Sequence, residues 1–233
     1  MPTGIIINVL AVVIGGFLGS IFGEKLSDKL KNTMTMVFGT CALAMGVVSV
    51  VLMKNMPAVV FAVIIGTLIG TSLDLDGAIR RGTGKLLEKL HLGGDIDSRL
   101  LVTAMVLFCV SGTGIYGSLT SGMTGDHSIL IAKSILDFFT AMIFAAQLKR
   151  SVMLIGIPQL IIMLALFFSA KLLLPLTTEI MINDFKACGG IVLLATGFTI
   201  MKVREIPVAN MILSMVLVMP VSAFWTNVLQ PLL

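Results

Sequence analysis

Long apolar runs alternate with short polar connections along the whole chain. The runs fall at roughly 4–23, 33–53, 58–75, 99–118, 128–148, 151–174, 187–201 and 206–227. Most come near the ~20 residues that an α-helix needs to cross the hydrocarbon core of a bilayer. They are continuous, not alternating over short segments, which argues against an outer-membrane barrel. Only helices and closed barrels satisfy their backbone hydrogen bonds in lipid. The pattern therefore predicts an all-α polytopic membrane protein of about eight transmembrane helices, or seven if the short run at 187–201 is merged. No polar stretch is long enough to bury a core of its own, so residues 1–233 are expected to form a single membrane domain. Between the third and fourth runs, Leu86, Leu87, Leu90 and Leu92 stand among charged residues. Residues 76–92 are read as an amphipathic helix lying on the cytoplasmic membrane surface.

Charge placement tests the count. With eight spans, alternate connections hold Lys25, Lys29 and Lys31; Arg80, Arg81, Lys85, Lys89 and Arg99; Lys149 and Arg150; and Lys202 and Arg204. The other side receives only Lys54 and Lys186. The positive-inside rule then places the basic loops in the cytoplasm and both termini outside. The first run has no basic segment before it and no clear cleavage site, so it reads as a retained span, not a signal peptide.

Composition narrows the class further. The 233 residues are 57% hydrophobic and 12% charged, where a soluble domain carries about 25% charged residues. The net charge of +4 is accounted for by topology and gives no reason to invoke nucleic acid. Cys41, Cys109 and Cys188 lie far apart without CxxC spacing, which argues against a disulfide framework or zinc site. No HExxH, GxSxG or phosphate-binding loop is present. Neither an enzyme nor an ATP-driven pump is expected, and no cofactor or metal is implied.

Candidate chemistry concentrates in residues 108–137. Ser111, Gly112, Thr113, Gly114, Gly117 and Ser118 cluster in the fourth run, and the fifth carries Lys133, Ser134 and Asp137. Such a glycine-rich helix either unwinds within the membrane, freeing backbone groups to bind an ion or small substrate, or frays into an outer loop. Asp137 falls near mid-span, where a charge is costly and marks function by default. Lys133 is one helical turn earlier on the same face. The pair is either a structural lock or a substrate- or proton-handling site. In the second case Asp137 faces a water-accessible cavity lined by the fourth span; a pair sealed in dry packing would make that transport site wrong and move the partner-binding reading ahead. Asn8, Gln159 and Asn210 are secondary polar candidates, expected chiefly to bond between helices. Glu179 and Asp184 are read as solvated groups near the outer surface. Gly156 and Pro158 predict a kink in the sixth span.

Gly15 and Gly19, and likewise Gly66 and Gly70, recur at four-residue spacing that lets helix backbones approach closely, within the monomer or at a homodimer seam. The segments AVVIGGFLGS (11–20) and AVIIGTLIGT (62–71) match at most positions, either identically or through Val/Ile, Leu/Ile or Ser/Thr exchanges. That echo is either a duplicated helical hairpin or a chance likeness of apolar segments.

FCVSGTGIYGS followed by SGMTGDHSILIAKSILD, with the opening GIIINVLAVVIGGFLGS and the later GGIVLLATGF and IPVANM, resembles the YqgA/YdfK-like bacterial inner-membrane proteins. The resemblance covers nearly the whole chain. It implies a compact multi-span protein of the bacterial cytoplasmic (inner) membrane, in a family of unknown function loosely called transporters, and it carries over no ligand residues. It highlights Gly117, Ser118, Lys133 and Asp137. The expected function is secondary transport or channel-like passage of a small solute or ion between the fourth and fifth spans. The alternative is a structural or regulatory membrane protein acting through helix packing and partner contacts.

Overall fold

A computed structural model describes residues 1–22, 25, 27–89, 98–109 and 111–232, with side chains described at all of these except 83, 84, 86–89, 98–100, 102, 103, 106, 112 and 172–174. The described residues are all-helical, without strands. The α-helices are α1 (Thr3–Phe22), α2 (Asp28–Val50), α3 (Met56–Ser72), α4 (Leu75–Lys89), α5 (Ser98–Cys109), α6 (Gly112–Thr124), α7 (Ser128–Leu148), α8 (Ser151–Leu154), α9 (Gly156–Leu173), α10 (Glu179–Ile200) and α11 (Val208–Phe224). Six helical segments among the described residues are long and apolar enough to cross a membrane, and a seventh is reached if α3 and the start of α4 are taken as one bent span.

Most expected spans agree with the helices to within a few residues. The seventh begins earlier than expected, at Glu179, because the Thr178 hydroxyl caps the helix by accepting from Met181 N at 3.3 Å. The expected kink at Gly156–Pro158 appears as an interruption at Ile155 between α8 and α9. Pro158 has no N–H to offer the Leu154 carbonyl, so the ladder is broken there. After α3 the chain bends by 55° into α4, with Asp74 at φ 49° in the turn. A helix is present over most of the expected amphipathic stretch, but the side chains of Leu86 and Leu87 and all of residues 90–92 lie outside those described.

The helices sort into two compact units: residues 1–37 with 78–172, and residues 38–77 with 173–233. In the first unit α1 runs along α7 in the same direction. A Cβ on Gly4 would meet Leu130, one on Gly15 the carbonyl of Phe138, and one on Gly19 the backbone of Met142. α5 packs on the second half of α7, with the Phe108 ring edge-on to Phe144 at 6.1 Å. α6 runs antiparallel along the first half, Gly114 beside Lys133 and Gly117 beside Leu130. The run expected as the fourth span thus holds two short helices, α5 and α6, neither of them among the helices long and apolar enough to cross a membrane.

In the second unit α3 runs antiparallel to α11. Gly66 faces the backbone of Ser214, and Gly70 faces the carbonyl of Asn210. α2 and α10 also cross backbone to backbone: a Cβ on Gly46 would lie 2.9 Å from the Gly190 carbonyl, and one on Gly39 2.8 Å from that of Gly197. Close approach between small residues replaces the hydrophobic drive that is missing in lipid. All four expected ridge glycines are thus used inside the chain. Outward-facing side chains such as Phe17, Phe61, Leu68, Ile135, Ile161 and Val216 are exposed, as lipid-facing positions of a membrane protein are.

Candidate functional site

Asp137 is in the middle of α7, at the tenth residue of a 21-residue helix. The four-residue spacing puts Lys133 one turn before it on the same face, and the two form an ion pair. Lys133 is 1% exposed and Asp137 7%. A charge taken this far from water needs a partner and further hydrogen bonds to be tolerated.

Those bonds come from α1 and α9. Asn8 Nδ2 donates to Asp137 Oδ2 at 2.9 Å. Gln159 Nε2 donates to Asn8 Oδ1 at 2.7 Å, with longer contacts of 3.5 Å to Asp137 Oδ2 and to the Phe108 carbonyl at the end of α5. The polarity of this chain is forced, because the carboxylate accepts only; Asn8 must turn its amide nitrogen to Asp137 and its oxygen to Gln159. Asn8 and Gln159 are both fully buried. The interruption at Ile155, just before Gln159, lies beside this cluster.

Three oxygens are left over. Every hydrogen bond described for Asp137 falls on Oδ2. Gln159 Oε1 is buried without a partner among the described residues, and so is the Ser118 hydroxyl on α6. A buried polar atom without a partner costs ~1–3 kcal/mol and calls for an explanation.

The glycine-rich segment behaves differently from the expectation that it unwinds. The break falls just before it: Ser111 is extended at ψ 147° and caps α6 by accepting from Gly114 N at 3.2 Å. Gly112, Thr113, Gly114, Gly117 and Ser118 are all helical. Ser111 also meets the Thr113 hydroxyl at 3.1 Å. The serine cap makes a helix start at Gly112 cheaper than unwinding. Gly114 acts by being small: a Cβ there would lie 3.1 Å from Lys133 Cε. Gly117 likewise makes room for Leu130. Ser134 is spent on its own helix, donating to the Leu130 carbonyl at 2.6 Å. Asp137 is nearly closed off rather than open to the water-accessible cavity expected in front of it.

Asn210 belongs elsewhere, in the second unit. Its Oδ1 accepts from Asp76 N at 2.8 Å and its Nδ2 reaches Thr71 Oγ1 at 3.4 Å, pinning the bend between α3 and α4. Asp184 is not solvated but fully buried. Lys54 N and Asn55 N donate to its Oδ1 at 2.8 and 2.9 Å, and Asn55 Nδ2 and Ser222 Oγ to its Oδ2 at 3.0 and 2.7 Å. Asn55 Nδ2 also reaches Thr226 Oγ1 at 2.9 Å, in the π-helical turn Trp225–Leu229. The signal that could have found this second carboxylate centre is the Thr178 cap, which moves the helix start upstream and Asp184 inside it.

Together these features define a polytopic α-helical membrane protein that encloses a charged pair beside a broken helix. The family described as "Protein of unknown function (DUF554)" matches residues 3–223, and the chain belongs to it. The chain is 46% identical to "Uncharacterized protein YqgA" of Escherichia coli K12, over 97% of this chain and 98% of that protein. It is 23% identical to "Uncharacterized membrane protein YdfK" of Bacillus subtilis 168, over 95% of each. No solved structure matches.

Proposed function

We propose that the chain is a secondary transporter or channel-like protein for a small solute or ion. It acts without catalysis in the bacterial cytoplasmic membrane, with both termini outside. The observation that carries this reading is the charged pair at mid-span, beside the ends of α5 and α6, with Gln159 Oε1 unfilled. Discontinuous helices at membrane depth place backbone carbonyls and amides where a substrate can meet them. An ionisable pair there is expensive to keep unless it is used. On this reading the near-closure of Asp137 is that of an occluded form.

Purified protein in liposomes tests this directly, by following flux of monovalent cations, protons and small organic ions under an imposed gradient. Asp137→Asn keeps the side chain's shape and removes its charge. Flux in the natural protein and none in this variant is the expected result; equal flux in both would overturn the role of Asp137.

One observation favours a structural reading instead: the same pair is almost sealed and joins α1, α7 and α9. On that reading the protein carries no flux and works through partner contacts. Reproducible crosslinking to one membrane protein, with silent liposomes, would select it.

A further inference from the structure

We propose that the chain binds one anionic phospholipid between α2 and α7, with an acyl chain in an apolar cavity and the headgroup phosphate on Lys31. The site lies apart from the Asp137 cluster and holds whether or not the chain carries flux. The cavity measures about 180 Å³ and is lined by Leu30, Lys31 and Met34 of α2 and by Phe139, Met142 and Ile143 of α7. All of these residues belong to the first unit. Leu30 is 46% exposed and Phe139 37%, so the cavity opens on the outward surface, where lipid is the solvent. Five of the six lining residues are apolar. Such a space holds hydrocarbon in preference to water, which finds no polar partners there.

Charge names the occupant. Lys31 is in the first turn of α2 and Met34 one turn further in, while Ile143 is nearer the end of α7 and Phe139 one turn nearer its middle. The cavity therefore has a charged end and an apolar end. α1 touches Met142 at Gly19, and Lys25 stands 5.9 Å from the Phe22 ring one turn beyond. Lys149 and Arg150 follow the end of α7. With Lys29, five basic residues gather at this end, against Glu24 and Asp28 in the sequence. Lys31 Nζ donates to Asp28 Oδ1 at 3.3 Å, and the Asp28 side chain is 94% exposed. A pair so open to solvent holds weakly, and a phosphate can take the ammonium by a charge-assisted bond. Basic pockets between membrane helices hold acidic headgroups in this way. A zwitterionic lipid brings its own cation to the same place and gains less.

The experiment uses the full chain in phosphatidylcholine vesicles holding a small share of phosphatidylglycerol with a photoreactive acyl chain. After irradiation, mass spectrometry of peptides should find the label around Met34 and Met142. Replacing phosphatidylcholine by unlabelled phosphatidylglycerol, at constant probe, should remove it; adding inorganic phosphate should not. A phosphatidylcholine probe should label the same segments far less. Lys31→Gln should weaken the labelling about fivefold, the effect of one cation at a membrane surface, and raising the salt concentration should weaken it too. Met34→Trp, which fills the cavity from α2, should abolish labelling at Met142; Lys31→Gln, at a partly exposed position, decides the matter should that variant misfold. Equal labelling by both probes, unchanged by unlabelled phosphatidylglycerol, would mean ordinary surrounding lipid and overturns the proposal. Loss of label to inorganic phosphate would mean a free-anion site and overturns the lipid as its occupant. Labelling unchanged in Lys31→Gln overturns the headgroup contact.

Discussion

Lys133 and Asp137 illustrate how much depends on a single residue's neighbours. Alone, either charge would be strongly destabilising in the bilayer; paired and bonded to Asn8 and Gln159, both are tolerated. Lys133→Met is therefore expected to destabilise the protein by about 3–5 kcal/mol, because an uncompensated carboxylate remains buried. Lys133→Met combined with Asp137→Leu should recover most of that loss. Thermal unfolding in detergent, read as a double-mutant cycle, checks both. If the double variant is as stable as the natural protein yet carries no flux, the pair serves transport and not only folding. Asp184 makes the complementary case, a fully buried carboxylate held by four donors. Asp184→Ala should lower stability by about 3 kcal/mol or more, since the donors from residues 54, 55 and 222 lose their acceptor together. The same melting experiment would show it.

Pairs of helices are built on backbone contact. The echoing segments 11–20 and 62–71 both lay a glycine pair on a neighbour, but α1 runs parallel to α7 while α3 runs antiparallel to α11. The likeness thus extends to the glycine ridge and not to the direction of its partner. Gly15→Val and Gly70→Val push a side chain into the carbonyls of Phe138 and Asn210 and are expected to cost at least 1–3 kcal/mol, as overpacking does. Gly82 has open space around it, so Gly82→Ala serves as a control that leaves the melting temperature nearly unchanged. Yield of monodisperse protein and its melting temperature together check this. Of these contacts, the Gly15, Gly19, Gly66 and Gly70 ridges were legible from four-residue spacing. The Gly39–Gly197 and Gly46–Gly190 crossing was not, because seven-residue spacing on two distant helices says nothing until the helices are placed.

At the scale of the molecule, α7 is long and apolar enough to cross a membrane, whereas neither α5 nor α6 is. Asp126→Cys and Arg150→Cys flank α7 and should be labelled from opposite sides by a membrane-impermeant thiol reagent, the first from outside and the second from the cytoplasm. Labelling of both from one face would mean that α7 does not span.

What the sequence determined by itself was the class and the order of parts: apolar runs near bilayer length dictate helices. It also determined that Lys133 and Asp137 meet, since four residues on a helix is a local relation. Tertiary structure alone decided that Asn8 and Gln159, 151 positions apart, complete their hydrogen bonds, and that Asp184 is buried and not solvated. It also decided that Ser111 caps a helix instead of letting the glycines unwind. Each of these outcomes depends on which helices become neighbours, and in lipid that choice rests on close backbone contact and polar pairing, which hydrophobic periodicity does not record.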